Sequence, residues 1–308
     1  MKKTLILSLL LLGAALGLKA QTVYNIYEGA APGMEKADYP EIVLDSRIFN
    51  VTVPTVTVYS PNSAINTGAA VIIAPGGGNM YLTWEEEGVN VAQWFQRHGI
   101  TGIILKYRTN FMGNTEEEVR KSQDAFFKQL FSSFADMGQQ VEEGKAPGLQ
   151  QQQERPAGIP PMTMEPTIQG DDGRQAVRFV REHAAEWGID PQKIGLIGFS
   201  AGGALTCNVM FFNDDATRPD FAGPIYGYRG DKLPDNPVPT FFCGPEFDLF
   251  GPQEAFRLYE KFQAARIPCE IHFIYDASHG QGLLYNGREW NEWIDLLYNF
   301  MKAIKIVE

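Results

Sequence analysis

The run Gly198-Phe199-Ser200-Ala201-Gly202 sets a serine between two glycines in the order G-x-S-x-G. A serine hydroxyl is a weak nucleophile until its geometry is fixed and a base stands beside it. The apolar stretch 193–198 leads straight into the motif, and the small residues Ala201, Gly202, Gly203 and Ala204 follow it. That order predicts a strand, a tight turn and a helix. Ser200 would be held at the tip of a strained turn, with the glycines removing bulk around it.

Four histidines compete for the role of base. His98 stands at a helix end before Gly99, where the helix dipole favours a cation, and reads as structural. His183 lies within a helix next to Glu182, and His272 falls in the middle of an apolar run. His279, in Ser278-His279-Gly280, follows the last such run. In a parallel sheet the loop holding it emerges at the same carboxyl edge as Ser200, where ligands bind. His279 is therefore the expected base.

A carboxylate to orient it is expected from the loop after the preceding strand, Cys243-Gly244-Pro245-Glu246-Phe247-Asp248. Asp248 is favoured, because Glu246 follows Pro245 closely and still belongs with the strand end. Glu246 stays as the alternative, and Asp276, three residues before His279, is a weaker third. The negative charge that builds on a carbonyl oxygen under attack needs backbone N–H donors. Ala201 supplies one, and the loop Pro75-Gly76-Gly77-Gly78 ends an earlier apolar run where a second is needed.

These residues must be carried by a scaffold. Continuous apolar runs at 69–74, 101–107, 193–199, 221–225, 239–243 and 269–275 read as strands of a parallel sheet buried on both faces. Helical patterns at 84–98, 171–188, 201–212, 252–265 and 288–304 separate or follow them. Asp171 or Asp172 is the expected N-cap of the second helix, and Gly188 its C-terminal stop. Residues 47–59 alternate in a way that predicts two half-buried antiparallel strands interrupted at Pro54. The whole is one α/β domain, a mostly parallel sheet flanked by helices.

Residues 109–170 exceed any ordinary connection. Their first half carries a helical stripe of Phe127, Leu130, Phe131, Phe134 and Met137. The second half holds Gln150 to Gln153 and five prolines. The insertion is read either as a lid or substrate-binding element at the mouth of the site, or as a decoration on the flank with a disordered tail.

Composition bounds the partners. The 308 residues carry 26 Lys+Arg against 37 Asp+Glu, a net charge of −11, which argues against nucleic acid. Lys2 and Lys3, the apolar stretch 5–18 and Ala20 predict a cleaved export signal over 1–20, too short to span a bilayer and preferred to an uncleaved anchor. Its removal leaves residues 21–308 as one domain with a charge of −14, in the periplasm or outside the cell. No other stretch is apolar enough for stable membrane insertion. Three cysteines make no disulfide framework. Cys207 reads as a core residue. Cys243 and Cys269 are expected about four residues out of step on neighbouring strands, too far for a bridge, so all three are expected as free thiols.

The chain resembles α/β-hydrolases of the bacterial acetyl-esterase and acetyl-xylan-esterase type over most of residues 50–304. The resemblance is carried by Ile73-Ala74-Pro75-Gly76-Gly77-Gly78, by Glu87-Gly88 with Val91, Ala92 and Trp94, and by Leu105-Lys106-Tyr107-Arg108. It continues in residues 176–181, in Trp187-Gly188-Ile189-Asp190-Pro191 and in residues 198–203. It implies hydrolysis of small acyl esters, often acetyl on plant polysaccharides, with no metal or other cofactor. It maps the nucleophile to Ser200, the base to His279 and the oxyanion donors to Gly77, Gly78 and Ala201. The sequence departs from that pattern at Pro75, where many relatives have His, at Glu246-Phe247-Asp248 in place of Asp-Asp, and in the long insertion. Two other readings compete: a prolyl-oligopeptidase-like peptidase, for whose propeller 288 residues leave no room, and a glycan-binding pseudoenzyme, supported by the altered acid loop.

Overall fold

The computed structural model describes residues 21–142, 164–230, 232–248 and 252–308. The expected export signal and the Gln- and Pro-rich stretch up to residue 163 lie outside the described residues.

The strands are β1 (Thr22–Asn25), β2 (Ile42–Leu44), β3 (Arg47–Phe49), β4 (Thr55–Tyr59), β5 (Ala70–Ala74), β6 (Tyr81–Thr83), β7 (Thr101–Lys106), β8 (Ile194–Phe199), β9 (Phe221–Ile225), β10 (Thr240–Pro245) and β11 (Cys269–Ile274). The helices are α1 (Asn90–Arg97), α2 (Glu116–Glu142), α3 (Ile168–Glu182), α4 (Ala184–Trp187), α5 (Ala201–Phe212), α6 (Gln253–Ala264) and α7 (Trp293–Ala303). Eight strands form one sheet in the order β1-β4-β7-β5-β8-β9-β10-β11, parallel from β7 to β11, and β2-β3-β6 form a small second sheet. All six apolar runs are strands of the parallel part. This is the α/β-hydrolase fold.

Strand alternation divides the core. Val71 and Ile73 of β5 face one side, with Val91 and Phe95 of α1 and Leu297 of α7. Ala70, Ile72 and Ala74 face the other, with Val177 and Val180 of α3 and Leu205 of α5. A strand covered on both faces has no polar side, which is why its sequence reads as an unbroken apolar run.

Two expectations are corrected. Residues 47–59 do hold two antiparallel strands on either side of Pro54, β3 and β4, but they belong to different sheets and β4 is not half-buried. Beyond Pro54 the chain leaves the small sheet, and β4 enters the large one between β1 and β7 with all five residues buried. Burial on both faces puts even Thr55 and Thr57 inside, so the alternation misreports the environment. Nor is the cap of α3 an aspartate. The helix begins earlier, where Thr167 Oγ1 accepts from Gly170 N at 3.0 Å. Gly188 does end α4 in the left-handed conformation, at φ 68°. Cys269 faces Thr240 in the ladder, so Cys243 stands three residues out of step, and all three thiols are free.

Asp172 is spent elsewhere. Its carboxylate accepts from the backbone N–H and the Nε–H of Arg108, from Arg108 Nη2 at 2.7 Å and from the Tyr27 hydroxyl at 2.9 Å. The same guanidinium donates to the carbonyls of Pro32 and Ile168. This buried pair clamps the N-terminal segment, the end of β7 and the start of α3. The insertion opens with a reciprocal cap: Thr115 Oγ1 accepts from Glu118 N, while Glu118 Oε2 accepts from Asn114 N at 2.6 Å. Val119 and Phe126 then pack with Phe49, Met80 and Tyr81, fixing α2 to the small sheet. The side chains of Leu130, Phe131, Phe134 and Met137 lie outside the described residues. Among the described residues no helix is long and apolar enough to cross a membrane.

Removing one partner of a buried ion pair strands the other charge. Arg108→Met should lower stability by about 3–5 kcal/mol. The check is the urea unfolding midpoint, and an unchanged midpoint would show that the clamp contributes nothing.

Candidate active site

Ser200 occupies a backbone conformation that L-residues rarely adopt, φ 50° and ψ −113°, between β8 and α5. The geometry is imposed by neighbours. A Cβ on Gly198 would collide with the Gly202 carbonyl, and one on Gly202 would collide with the carbonyl of Ala74. Only glycine permits such approaches. The turn is also tied back, since Ser200 N donates to Ile225 O at 3.0 Å.

His279 follows β11 and reaches the same edge. Its Nε2 lies 2.8 Å from Ser200 Oγ, and its Nδ1 lies 2.8 and 3.1 Å from the two carboxylate oxygens of Asp248. The Asp248 side chain is 4% exposed and that of His279 24%, so the carboxylate is shielded while the imidazole opens to the cleft. Glu246 points to solvent, and its backbone N–H still donates to Ile274 O as a continuation of the ladder. Asp276 lies 3.9 Å from Arg288 on the surface. The other histidines stand apart: His98 stacks on Trp94, His183 on Phe179, and His272 bonds Glu270.

The loop after β5 runs beside Ser200. Gly77 and Gly78 take φ of 132° and 63°, and among the described residues neither spends its N–H on a protein acceptor. Ala201, the first residue of α5, has no intrahelical acceptor for its own N–H. Three unspent donors thus stand around the serine. Gly76 differs, because its N–H donates to Glu87 Oε2 at 2.6 Å.

Glu87 was reached by sequence only through the resemblance; its role is visible in the structure. It sits in a π-helical turn, Glu85–Val89, that widens the entry to α1, and it is 1% exposed. Its other oxygen accepts from the Tyr226 hydroxyl at 2.6 Å, and that hydroxyl accepts from Gly282 N at 3.1 Å. The Gly282 carbonyl takes the indole N–H groups of Trp290 and Trp293 at 2.8 and 3.1 Å. The Tyr226 ring lies 4.8 Å from the His279 ring. One carboxylate therefore links the donor loop to the loop that carries His279. Burial pushes the Glu87 carboxyl above its ordinary value, against the pull of Tyr226, Gly76 and nearby His279. A sequence signal existed: Glu87, Val91 and Phe95 fall four residues apart on one otherwise apolar helix face.

The groups open into a cleft of about 560 Å³, to which α2 contributes Phe126 and Phe127 and the small sheet Arg47. Phe126 also lies against Gly78. The described half of the insertion is thus a wall of the site. Among the described residues no group of three or more His, Cys, Asp or Glu converges as metal ligands would.

Residues 163–231, which include Ser200, match the family model BD-FAE. An acetylxylan esterase of Xylanibacter ruminicola is 24% identical over 160 residues, 52% of this chain but only 22% of that protein. Among solved structures, an acetyl ester-xyloside bifunctional hydrolase from Caldicellulosiruptor lactoaceticus superposes with a TM-score of 0.60 at 19% identity, covering 93% of this chain and 97% of the other. Thermogutta terrifontis esterase 2, in a form phosphorylated by paraoxon, gives 0.58 at 18% identity, covering 94% and 96%.

A carboxyl whose folded pKa is raised binds more protons folded than unfolded, so its contribution to stability falls as pH rises from about its ordinary 4.5. Glu87→Gln removes that dependence and turns an amide N–H toward a donor, a mismatch of about 1–3 kcal/mol. The stability deficit of the variant should be largest near pH 4.5 and shrink as pH rises. Urea midpoints across pH 4–8 check this; a deficit that widens with pH would contradict it.

Proposed function

We propose that this chain, an α/β-hydrolase in fold, is an exported serine esterase that removes small acyl groups, acetyl above all, from carbohydrates such as xylan. The observation that carries the reading is the hydrogen-bonded line from Asp248 through His279 to Ser200, ending where three backbone N–H groups are unspent. The names borne by the Xylanibacter ruminicola and Caldicellulosiruptor lactoaceticus proteins support the acetyl-carbohydrate part of it. The residues 1–20 support export.

Asp248 accepts the Nδ1 proton of His279, which leaves Nε2 as the bare nitrogen facing Ser200. As Oγ bonds to the ester carbon, its proton passes to Nε2, and Asp248 stabilises the imidazolium. The carbonyl oxygen becomes an oxyanion facing the N–H groups of Gly77, Gly78 and Ala201. Collapse breaks the bond to the alcohol, which leaves with the proton from Nε2. Water, deprotonated by the same nitrogen, then cleaves the acyl-enzyme and restores Ser200. The pseudoenzyme alternative loses its ground, because the altered acid loop already puts a carboxylate within 2.8 Å of His279.

Ser200→Ala and His279→Ala should each cut turnover of 4-nitrophenyl acetate by about 10⁴-fold or more. Asp248→Asn should be severely impaired, and Glu246→Gln should retain activity within about twofold, since solvent-facing changes rarely act beyond their contacts. Full activity of Ser200→Ala, or a Glu246→Gln defect exceeding that of Asp248→Asn, would overturn these roles. Acetate release from a panel of acetylated glycans tests the substrate class.

A further inference from the structure

Arg229 lies four residues beyond β9 and lines the Ser200 cleft. It also lines a second lobe of about 260 Å³, which shares Asn79, Ala201, Ala204 and Arg229 with the first and does not include His279. The cleft therefore continues past the serine, and Arg229 stands at the junction.

Its mounting is rigid. A Cβ on Gly227 would strike the Ser200 carbonyl, so the chain at 226–229 runs against the elbow. The Tyr228 hydroxyl is bonded to Cys243 O, and Arg229 Nη1 donates to the Tyr228 carbonyl at 2.7 Å. That is the one protein acceptor its guanidinium takes among the described residues. No carboxylate there comes within salt-bridge distance of it. Of the two arginines lining the cleft, Arg47 also lacks a carboxylate partner there, but it lies over the Tyr81 ring, on the small sheet rather than at the junction of the lobes. Of the acids lining the cleft, Asp45 is held by Arg120, and Glu87 is buried and engaged. Glu86 and Glu165 also border the two lobes, and neither pairs with Arg229. Arg229 is thus half-buried beside the serine with no carboxylate partner, although the chain carries a net charge of −11.

Planar guanidinium groups with free N–H pairs match carboxylates in a two-point fork. We propose that Arg229 forms a subsite for a carboxylate carried by the ester substrate. The inference rests on the esterase reading of Ser200 and deepens it: the preferred ester is anionic.

The experiment compares matched esters. Methyl hydrogen glutarate against methyl valerate puts the carboxylate on the acyl group, and 4-acetoxybenzoate against 4-acetoxybenzamide puts it on the alcohol. The wild-type protein should favour the anionic member of at least one pair in kcat/KM, and the pair that responds tells which side Arg229 reads. Arg229→Gln should reduce that preference about tenfold or more, Arg229→Lys should restore part of it, and molar salt should weaken it in the wild type. No anionic preference in either pair, or one that persists in Arg229→Gln, overturns the proposal. Because the readout is a ratio within one protein, a variant that folds poorly still reports through its active fraction, and Arg229→Lys gives a second measure. A wild-type protein that turns over none of these esters, nor 4-nitrophenyl acetate, defeats the esterase reading instead.

Discussion

A carboxylate removed from water is costly unless donors surround it, and Glu87 is surrounded by two that belong to different loops. Gly76 N–H fixes one oxygen and Tyr226 O–H the other. If either loop moved away, a charge or a donor would be left unpaired in a dry site, at a cost near that of the interaction lost. Glu87 thus ties the loop after β5 to Tyr226 at the end of β9, and Tyr226 in turn accepts from Gly282 of the loop bearing His279. A shift of either loop would be transmitted to the other through Tyr226 and Gly282. Burial disfavours the charged form of Glu87, while the Tyr226 and Gly76 donors favour it.

The sheet supplies the remaining constraint. β5, β8, β9, β10 and β11 run parallel, so the loops carrying Gly77, Ser200, Arg229, Asp248 and His279 all leave at one edge. Residues separated by up to 202 positions in the sequence become neighbours without any long excursion of the chain. At the centre, glycines at 198, 202 and 227 let three backbones approach more closely than side chains would allow. The strain stored at Ser200 persists because these contacts over-determine it.

What was legible in the sequence follows from this. Parallel strands buried on both faces announce themselves as apolar runs, and the elbow announces itself by glycines that no other residue can replace. The choice between Asp248 and Glu246 was not resolved by spacing, because it depends on where β10 stops bonding β11. Glu246 still spends its N–H on Ile274, and the chain turns toward His279 only after it. The antiparallel edge misled, because β4 is buried on a face that its threonines suggested was wet. The capping aspartates misled for the opposite reason. Asp172 has the right residue type for a helix start, but a stronger partner, Arg108, arrives from just past β7, 64 positions away. Local pattern carries no record of such distant competitors. Strands of three residues, such as β2 and β6, are too short to carry a period at all.

Charge acts here on two length scales that must be kept apart. The chain as a whole carries −11, and the portion from residue 21 onward carries −14, so at a distance it repels polyanions. That field fades over roughly 8 Å at physiological ionic strength. Within the cleft the nearest charges decide: Arg229 and Arg47 line it together with Glu86, with Asp45 held by Arg120, and with the buried Glu87. A densely charged polymer meets the long-range repulsion along its whole length and gains one favourable contact. A substrate with an isolated carboxylate meets little repulsion and gains the same contact. On the proposed role of Arg229, an acidic surface around an arginine-bearing cleft would select for sparse negative charge, which a neutral backbone with occasional acidic side groups satisfies.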